Sequence, residues 1–165
     1  MVLTIEVLDG RQHRRENFSC GEVSLDRYLQ RQASQDLKRK VATAFVLLDH
    51  PSAEILAYYT LSAFTINISS LDRDFAKGLP HYPLLPATLL GRLAVDKQQQ
   101  GRGFGELMLV DALKKAKLAS NQVASLVIIA EALNDQASQF YENYGFQRFQ
   151  DVPNKLYLPM QSIPL

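Results

Sequence analysis

The sequence predicts a mixed α/β fold, one central sheet flanked by helices, and three observations carry that prediction. Short runs rich in β-branched and aromatic residues alternate with stretches whose apolar residues recur at the helical period. The run "QVASLVIIAEA" is apolar almost throughout, the mark of a central strand covered on both faces. Glycine-rich and proline-rich punctuation separates these segments without dividing the chain.

Taken in order, "VLTIEVL" alternates as a half-buried strand does. "SLDRYLQRQASQDLKRK" sets Leu25, Tyr28, Leu29, Ala33 and Leu37 along one face of a helix, with Ser24 as the expected N-cap. "VATAFVLLD" and "EILAYYTLSAFTI", separated by the turn residues "HPSA", predict an antiparallel hairpin. In "LPHYPLLP" the prolines 80, 83 and 86 forbid continuous helix, so a turning loop is expected before the strand "LLGRLAV". A helix follows, with Phe104, Met108, Leu109, Ala112, Leu113 and Ala116 at the helical period. After the buried strand, "NDQASQFYENYG" is a short helix capped by Asn134 and stopped at Gly145. "FQRFQDVPNKLYLPM" supplies two final strands about Pro153. The predicted order is β-α-β-β-β-α-β-α-β-β.

With 165 residues, 47% of them hydrophobic, the chain suits a single domain spanning residues 1–165. Its apolar runs fall short of the roughly 18 residues a membrane span requires, and the amino terminus lacks a signal layout, so a cytoplasmic protein is expected. The single cysteine, Cys20, excludes an internal disulfide and a thiolate zinc cage. His13, His50 and His81 lie in separate stretches without ligand spacing, so no metal is expected. The net charge is only +1, yet residues 11–40 hold eight basic residues against four acids. Arg27, Arg31, Lys38, Arg39 and Lys40 therefore form either a solvated face or a surface for nucleic-acid phosphates.

The segment "QQQGRGFGELM" joins a strand to a helix through Gly101, Gly103 and Gly105. Such a junction presents unpaired backbone N–H groups and a positive dipole end to an anion, and bare glycines let the ligand reach the main chain. It is not a P-loop, because no Lys-Ser/Thr pair follows. Nor is it the dinucleotide fingerprint, because the last glycine comes two positions after the second instead of three. A flexible turn that binds nothing is the alternative the spacing leaves open.

Gln98, Gly101 and Gly103, following "RLAVD", give a Q-x-x-G-x-G pattern that resembles the acyl-CoA pyrophosphate loop of the GCN5-related N-acetyltransferases (GNAT). "FYENYGF", preceded by Ala132, Asn134 and Ala137, is similar to the segment that ends that family's core. The opening "FSCGEVSLDRYLQRQASQD" is similar to the TacT-like acetyltransferase toxins of type II toxin–antitoxin systems, whose substrate is the α-amine of aminoacyl-tRNA. The resemblance extends over essentially the whole chain. It implies a GNAT fold, with a mostly antiparallel sheet splayed at a cofactor cleft.

What the resemblance implies for the residues is specific. Acetyl-CoA would pair its pantetheine with the main chain of Leu93, Ala94 and Val95. Its pyrophosphate would meet the backbone of Gln99, Gln100, Gly101, Arg102, Gly103, Phe104 and Gly105, with Asn134 and Phe140 also at the cofactor. Arg102 either adds a charge-assisted contact or points into solvent. Tyr141 would be the general acid for the leaving thiolate, although spacing alone reads it as a core aromatic beside Ala137, Phe140 and Tyr144. A phenol near 10 keeps its proton at neutral pH, as that role requires. No Asp or Glu stands out as a base. An α-amine, at about 7.7 to 8.0, needs less help than a lysine near 10.4, which favours aminoacyl-tRNA as acceptor. The alternative is a GNAT enzyme acting on a protein N-terminus, a lysine or a small amine. The resemblance further implies a ribbon-helix-helix antitoxin as partner and admits a homodimer.

Overall fold

The computed structural model of the chain describes residues 1–164. Seven strands form the sheet: β1 (Val2–Val7), β2 (Thr43–His50), β3 (Ala57–Asn67), β4 (Leu84–Val95), β5 (Val127–Glu131), β6 (Gln147–Arg148) and β7 (Lys155–Pro159). The helices are α1 (Val23–Arg27), α2 (Ala33–Lys38), α3 (Arg73–Ala76), α4 (Phe104–Ala119) and α5 (Asp135–Glu142). Hydrogen-bonded neighbours follow the order β1-β2-β3-β4-β5-β7-β6. The β1–β2, β2–β3, β5–β7 and β6–β7 pairs are antiparallel and β4–β5 is parallel, so the expected mixed, mostly antiparallel sheet is present.

The chain forms two compact units. The first comprises residues 1–62 and 92–112, the second 63–91 and 113–164. In the first, the helical stripe read from the sequence does its work: Tyr28, Leu29 and Ala33 are buried against Val46, Leu48, Tyr58 and Ala94. Each large side chain withdrawn from water this way contributes about 1.5–3 kcal/mol. Phe18 meets Tyr58 edge to face at 5.5 Å. The neighbouring residue on β3, Tyr59, points the other way and donates its hydroxyl to Asp111 of α4 at 2.6 Å. Alternation along the strand thus assigns Tyr58 to the α1–α2 face and Tyr59 to the α4 face.

In the second unit, Val127 and Ile129 of β5 pack with Tyr157, Phe149, Ile66 and Leu85. Phe75 of α3 stacks on Tyr157 at 6.1 Å. The Tyr157 hydroxyl is fully used, donating to Gln147 Oε1 at 2.8 Å and accepting the Asp72 N–H at 3.3 Å.

Three local expectations are corrected. The helix read as continuous from Ser24 to Lys40 is broken by a π turn over Tyr28–Gln32. Ser24 is not its cap. Gly21, at φ +103°, turns the chain early, so Glu22 takes the cap position, α1 opens at Val23, and the Asp26 carboxylate reaches back to accept the Cys20 N–H at 2.9 Å. The loop before the cofactor-type strand is shorter than its prolines suggest, since β4 begins at Leu84 and includes Pro86. Proline lacks a donor but keeps an acceptor, and its carbonyl receives the Leu126 N–H at 2.9 Å. Residues 66–88, whose conformation the sequence does not give, contain a 3-10 turn at Ile68–Ser70, capped by the Asn67 side chain, then α3 and the start of β4.

Candidate functional site

In the first unit the site is made of backbone. β4 runs to Val95, a 3-10 turn follows at Lys97–Gln99, and α4 opens at Phe104 with Gly103 as its cap, the Gly103 carbonyl accepting the Leu107 N–H at 3.0 Å. Gly101 and Gly103 both sit at φ +81°, in the left-handed region that L side chains rarely adopt. A β-carbon at either would meet nothing within 4 Å, so conformation, and not crowding, is what demands glycine. Gly105 differs, being the second residue of the helix and carrying no positive φ.

Among the described residues, none of the N–H groups from Gly101 to Glu106 donates to a carbonyl or side chain. Six successive unpaired donors, the last of them in the first turn of a sixteen-residue helix, make a strong anion cradle. That chemistry fits a diphosphate. The β4–β5 ladder ends at the Leu90–Ala130 pair, so Leu93, Ala94 and Val95 lie beyond its last rung.

Side chains around the loop hold it in shape. Asp96 Oδ1 accepts from the Gln98 N–H at 3.0 Å, and its Oδ2 accepts from Ser19 at 3.1 Å. The Lys97 N–H donates to the Ser19 carbonyl at 2.8 Å. Gln100 Nε2 donates to the carbonyls of both Cys20 and Val95 at 3.0 Å. The front motif "FSCG" is therefore a brace for the glycine loop, a role its sequence gave no hint of. Cys20 itself is half-buried, and burial pushes its thiol up to about 11, so it is no nucleophile at neutral pH. Arg102 is exposed and stays along the loop: its guanidinium donates to Gln99 Oε1 and lies over the Phe104 ring at 4.9 Å.

In the second unit the site is a side chain. Asn134 caps α5 as expected, its Oδ1 accepting from the Ala137 N–H at 2.9 Å, and Gly145 closes the following turn at φ +95°. Tyr141 is 3% exposed and held by two aromatic neighbours, Phe140 and Phe146, each at 5.4 Å. Burial raises its phenol well above the ordinary value of 10.0. One turn earlier, Ser138 Oγ is fully buried and has no hydrogen-bond partner among the described residues. A cavity of about 220 Å³ in this unit is lined by Phe64, Ile66, Ile129, Phe149, Val152 and Lys155, among others, none of which the sequence had marked.

Arg27, Arg31, Lys38, Arg39 and Lys40 are all exposed on or just after the α1–α2 segment. Among the described residues no group of His, Cys, Asp and Glu could hold a metal ion, and no helix is long and apolar enough to cross a membrane.

The glycine-kinked strand-to-helix junction with open amides in the first unit and the buried phenol of the second are each features suited to an acyl-coenzyme A transferase. The chain belongs to the GNAT acetyltransferases, the acetyltransferase (GNAT) domain family matching residues 44–148. It is 30% identical over 145 residues to the "tRNA-acetylating toxin" of Mycobacterium tuberculosis, covering 88% of this chain and 85% of that one. Among solved structures, AtaT complexed with acetyl-methionyl-tRNAfMet superposes with a TM-score of 0.91 at 31% identity, covering 98% and 97% of the two chains. A Tyr-to-Phe mutant of AtaT bound to the C-terminus of the antitoxin AtaR and acetyl-CoA gives 0.83 at 29% identity, covering 98% and 95%.

Proposed function

We propose that this chain is an acetyl-CoA-dependent N-acetyltransferase toxin that acetylates the α-amine of aminoacyl-tRNA and so blocks translation. The observation that carries the coenzyme half is the run of six unpaired amides from Gly101 to Glu106. The acceptor half is supported by the similarity to a tRNA-acetylating toxin and to AtaT with its acetylated tRNA.

The coenzyme supplies an acetyl thioester, and the chain's residues do the rest. The amides of Gly101 to Gly105 hold the diphosphate, with Gln99, Gln100, Arg102 and Phe104 fixing the loop. The main chain of Leu93, Ala94 and Val95 aligns the pantetheine by strand addition, and Asn134 and Phe140 complete the cofactor contacts. The acceptor nitrogen attacks the thioester carbonyl, the carbon–sulfur bond breaks, and Tyr141 gives its proton to the departing sulfur. The new amide nitrogen sheds its proton to water. A raised phenol pKa ensures that Tyr141 holds a proton to give throughout the physiological range.

Arg27, Arg31, Lys38, Arg39 and Lys40 are assigned to tRNA phosphates. A toxin of this kind works in the cytoplasm, where charged tRNA and acetyl-CoA are found, and is held in check by a ribbon-helix-helix antitoxin. Incubating the protein with labelled acetyl-CoA and charged tRNA tests the reading. Label on the aminoacyl group is expected, and its absence rejects the proposal.

A further inference from the structure

Arg92 occupies an unusual position on β4. Its guanidinium carbon lies 3.5 Å from the centroid of the Tyr28 ring, a close cation–π stack. Tyr28 is itself pinned: its hydroxyl donates to Asp36 Oδ2 at 2.7 Å, and Gln32 Nε2 donates to Asp36 Oδ1 at 3.0 Å. The π turn of the first helical segment carries both Tyr28 and Gln32, and π turns of this kind often mark functional positions. A rigid aromatic platform thus fixes one face of the guanidinium plane.

The edge of that plane is a different matter. A guanidinium carries five N–H donors in a fork suited to carboxylate or phosphate, and among the described residues Arg92 makes no direct hydrogen bond or ion pair; the nearby Asp36 carboxylate feels its charge but already accepts from Tyr28 and Gln32. A half-buried arginine, oriented by stacking yet left with its fork unused, is prepared for an anionic ligand.

Which anion follows from the face of the strand. Ala94, two residues on, lies in the same core cluster as Tyr28, Leu29 and Ala33, so Arg92 projects on the α1–α2 side. The α4 side is the one Tyr59 faces through Asp111. The diphosphate already has its own cradle at the start of α4. The segment beside Arg92, by contrast, carries the exposed Arg27 and Arg31. Arg92 also immediately precedes Leu93, where in the proposed function pairing with the pantetheine would begin, which would set it next to the reacting end of the cofactor.

We infer that Arg92, preset on Tyr28, grips a phosphate of the single-stranded acceptor end of the aminoacyl-tRNA and so positions the α-amine beside the thioester. This rests on the aminoacyl-tRNA reading above. It adds a specific positioning residue that the basic surface alone does not supply.

The test is steady-state kinetics of wild type, Arg92→Gln and Arg92→Lys with charged tRNA at several salt concentrations, alongside calorimetry of acetyl-CoA binding. Arg92→Gln keeps much of the stem but no charge. It should raise KM for charged tRNA about ten- to hundredfold, as loss of a charged hydrogen-bonded contact does, while acetyl-CoA affinity stays at the wild-type value. The log–log salt dependence should become shallower by about 0.7, one phosphate contact to a single strand. Arg92→Lys restores the charge without the fork, so it should recover the salt slope and only part of the affinity. An unchanged KM and slope in Arg92→Gln overturns the inference, as does a matching fall in acetyl-CoA affinity, which would assign Arg92 to the coenzyme. If Arg92→Gln does not fold, full wild-type affinity in Arg92→Lys overturns the fork. A wild-type enzyme that leaves charged tRNA unlabelled refutes the aminoacyl-tRNA reading itself, a result distinct from any of these.

Discussion

The glycine loop at the start of α4 and the phenol on α5, the two parts of the proposed chemistry, are built on opposite principles. The loop, as proposed, acts through main-chain amides, and its specification is conformational: two glycines at φ +81° shape the turn, while Asp96, Gln100 and the Ser19–Cys20 backbone hold it. Tyr141, in the proposed mechanism, acts through a side chain, and its specification is environmental: Phe140 and Phe146 pack against it, and burial raises its pKa. A backbone site should therefore fail when its dihedrals are disturbed. A side-chain site should fail when a single atom is removed.

The largest expected effect breaks the second half alone. Tyr141→Phe removes the acid and leaves the ring packing intact, so kcat should fall by about 10²–10⁴, the usual worth of a general acid, while calorimetry finds acetyl-CoA binding unchanged. Should both fall together, the phenol is part of the binding site and the contrast dissolves.

Gly103→Val breaks the first half alone. A β-branched residue at φ +81° is strained by about 1–3 kcal/mol, so acetyl-CoA affinity should drop by roughly ten- to a hundredfold, with Gly101→Val similar and Gly105→Ala much milder. Equal losses at all three positions would show that open space, and not dihedral angle, is what the loop needs.

The pH profile sharpens the comparison further. Because burial raises the Tyr141 phenol, the acid is fully protonated below its shifted value, and its contribution is lost only as pH climbs through that value. The single-turnover rate should rise as the acceptor amine deprotonates, then stay level to about pH 10. A decline setting in between about pH 8 and 9 in wild type would locate the acid elsewhere.

The smallest effect concerns scaffolding. Asn134→Ala deletes the cap on the Ala137 N–H and should cost about 1 kcal/mol, lowering Tm by roughly 2–4 °C. Any loss of acetyl-CoA affinity beyond that measures the direct cofactor contact assigned to Asn134.

How much of this could be read beforehand divides along the same line. Gly101, Gly103, the Asn134 cap and the Gly145 stop all stand out in the chain because each is a local solution to a local backbone problem. Ser24 misled because the cap was decided by Gly21 three residues earlier and by a carboxylate reaching back from Asp26. Pro86 misled because a strand can use its carbonyl while going without its N–H. The "FSCG" brace and the Arg92–Tyr28 stack were invisible, since their partners lie about sixty to eighty residues apart.

By itself, then, the sequence determined the element order and the strand-to-helix turn with its left-handed glycines, because those follow from side-chain period and from dihedral preference within a few residues; period alone made Tyr141 a core aromatic, and only the family resemblance singled it out. Tertiary structure alone decided which loop amides stay unpaired, that Tyr141 is buried enough to retain its proton, and that Arg92 keeps its donors in reserve. Hydrogen-bond accounting and desolvation are sums over everything a group touches, and most of what these groups touch is distant along the chain.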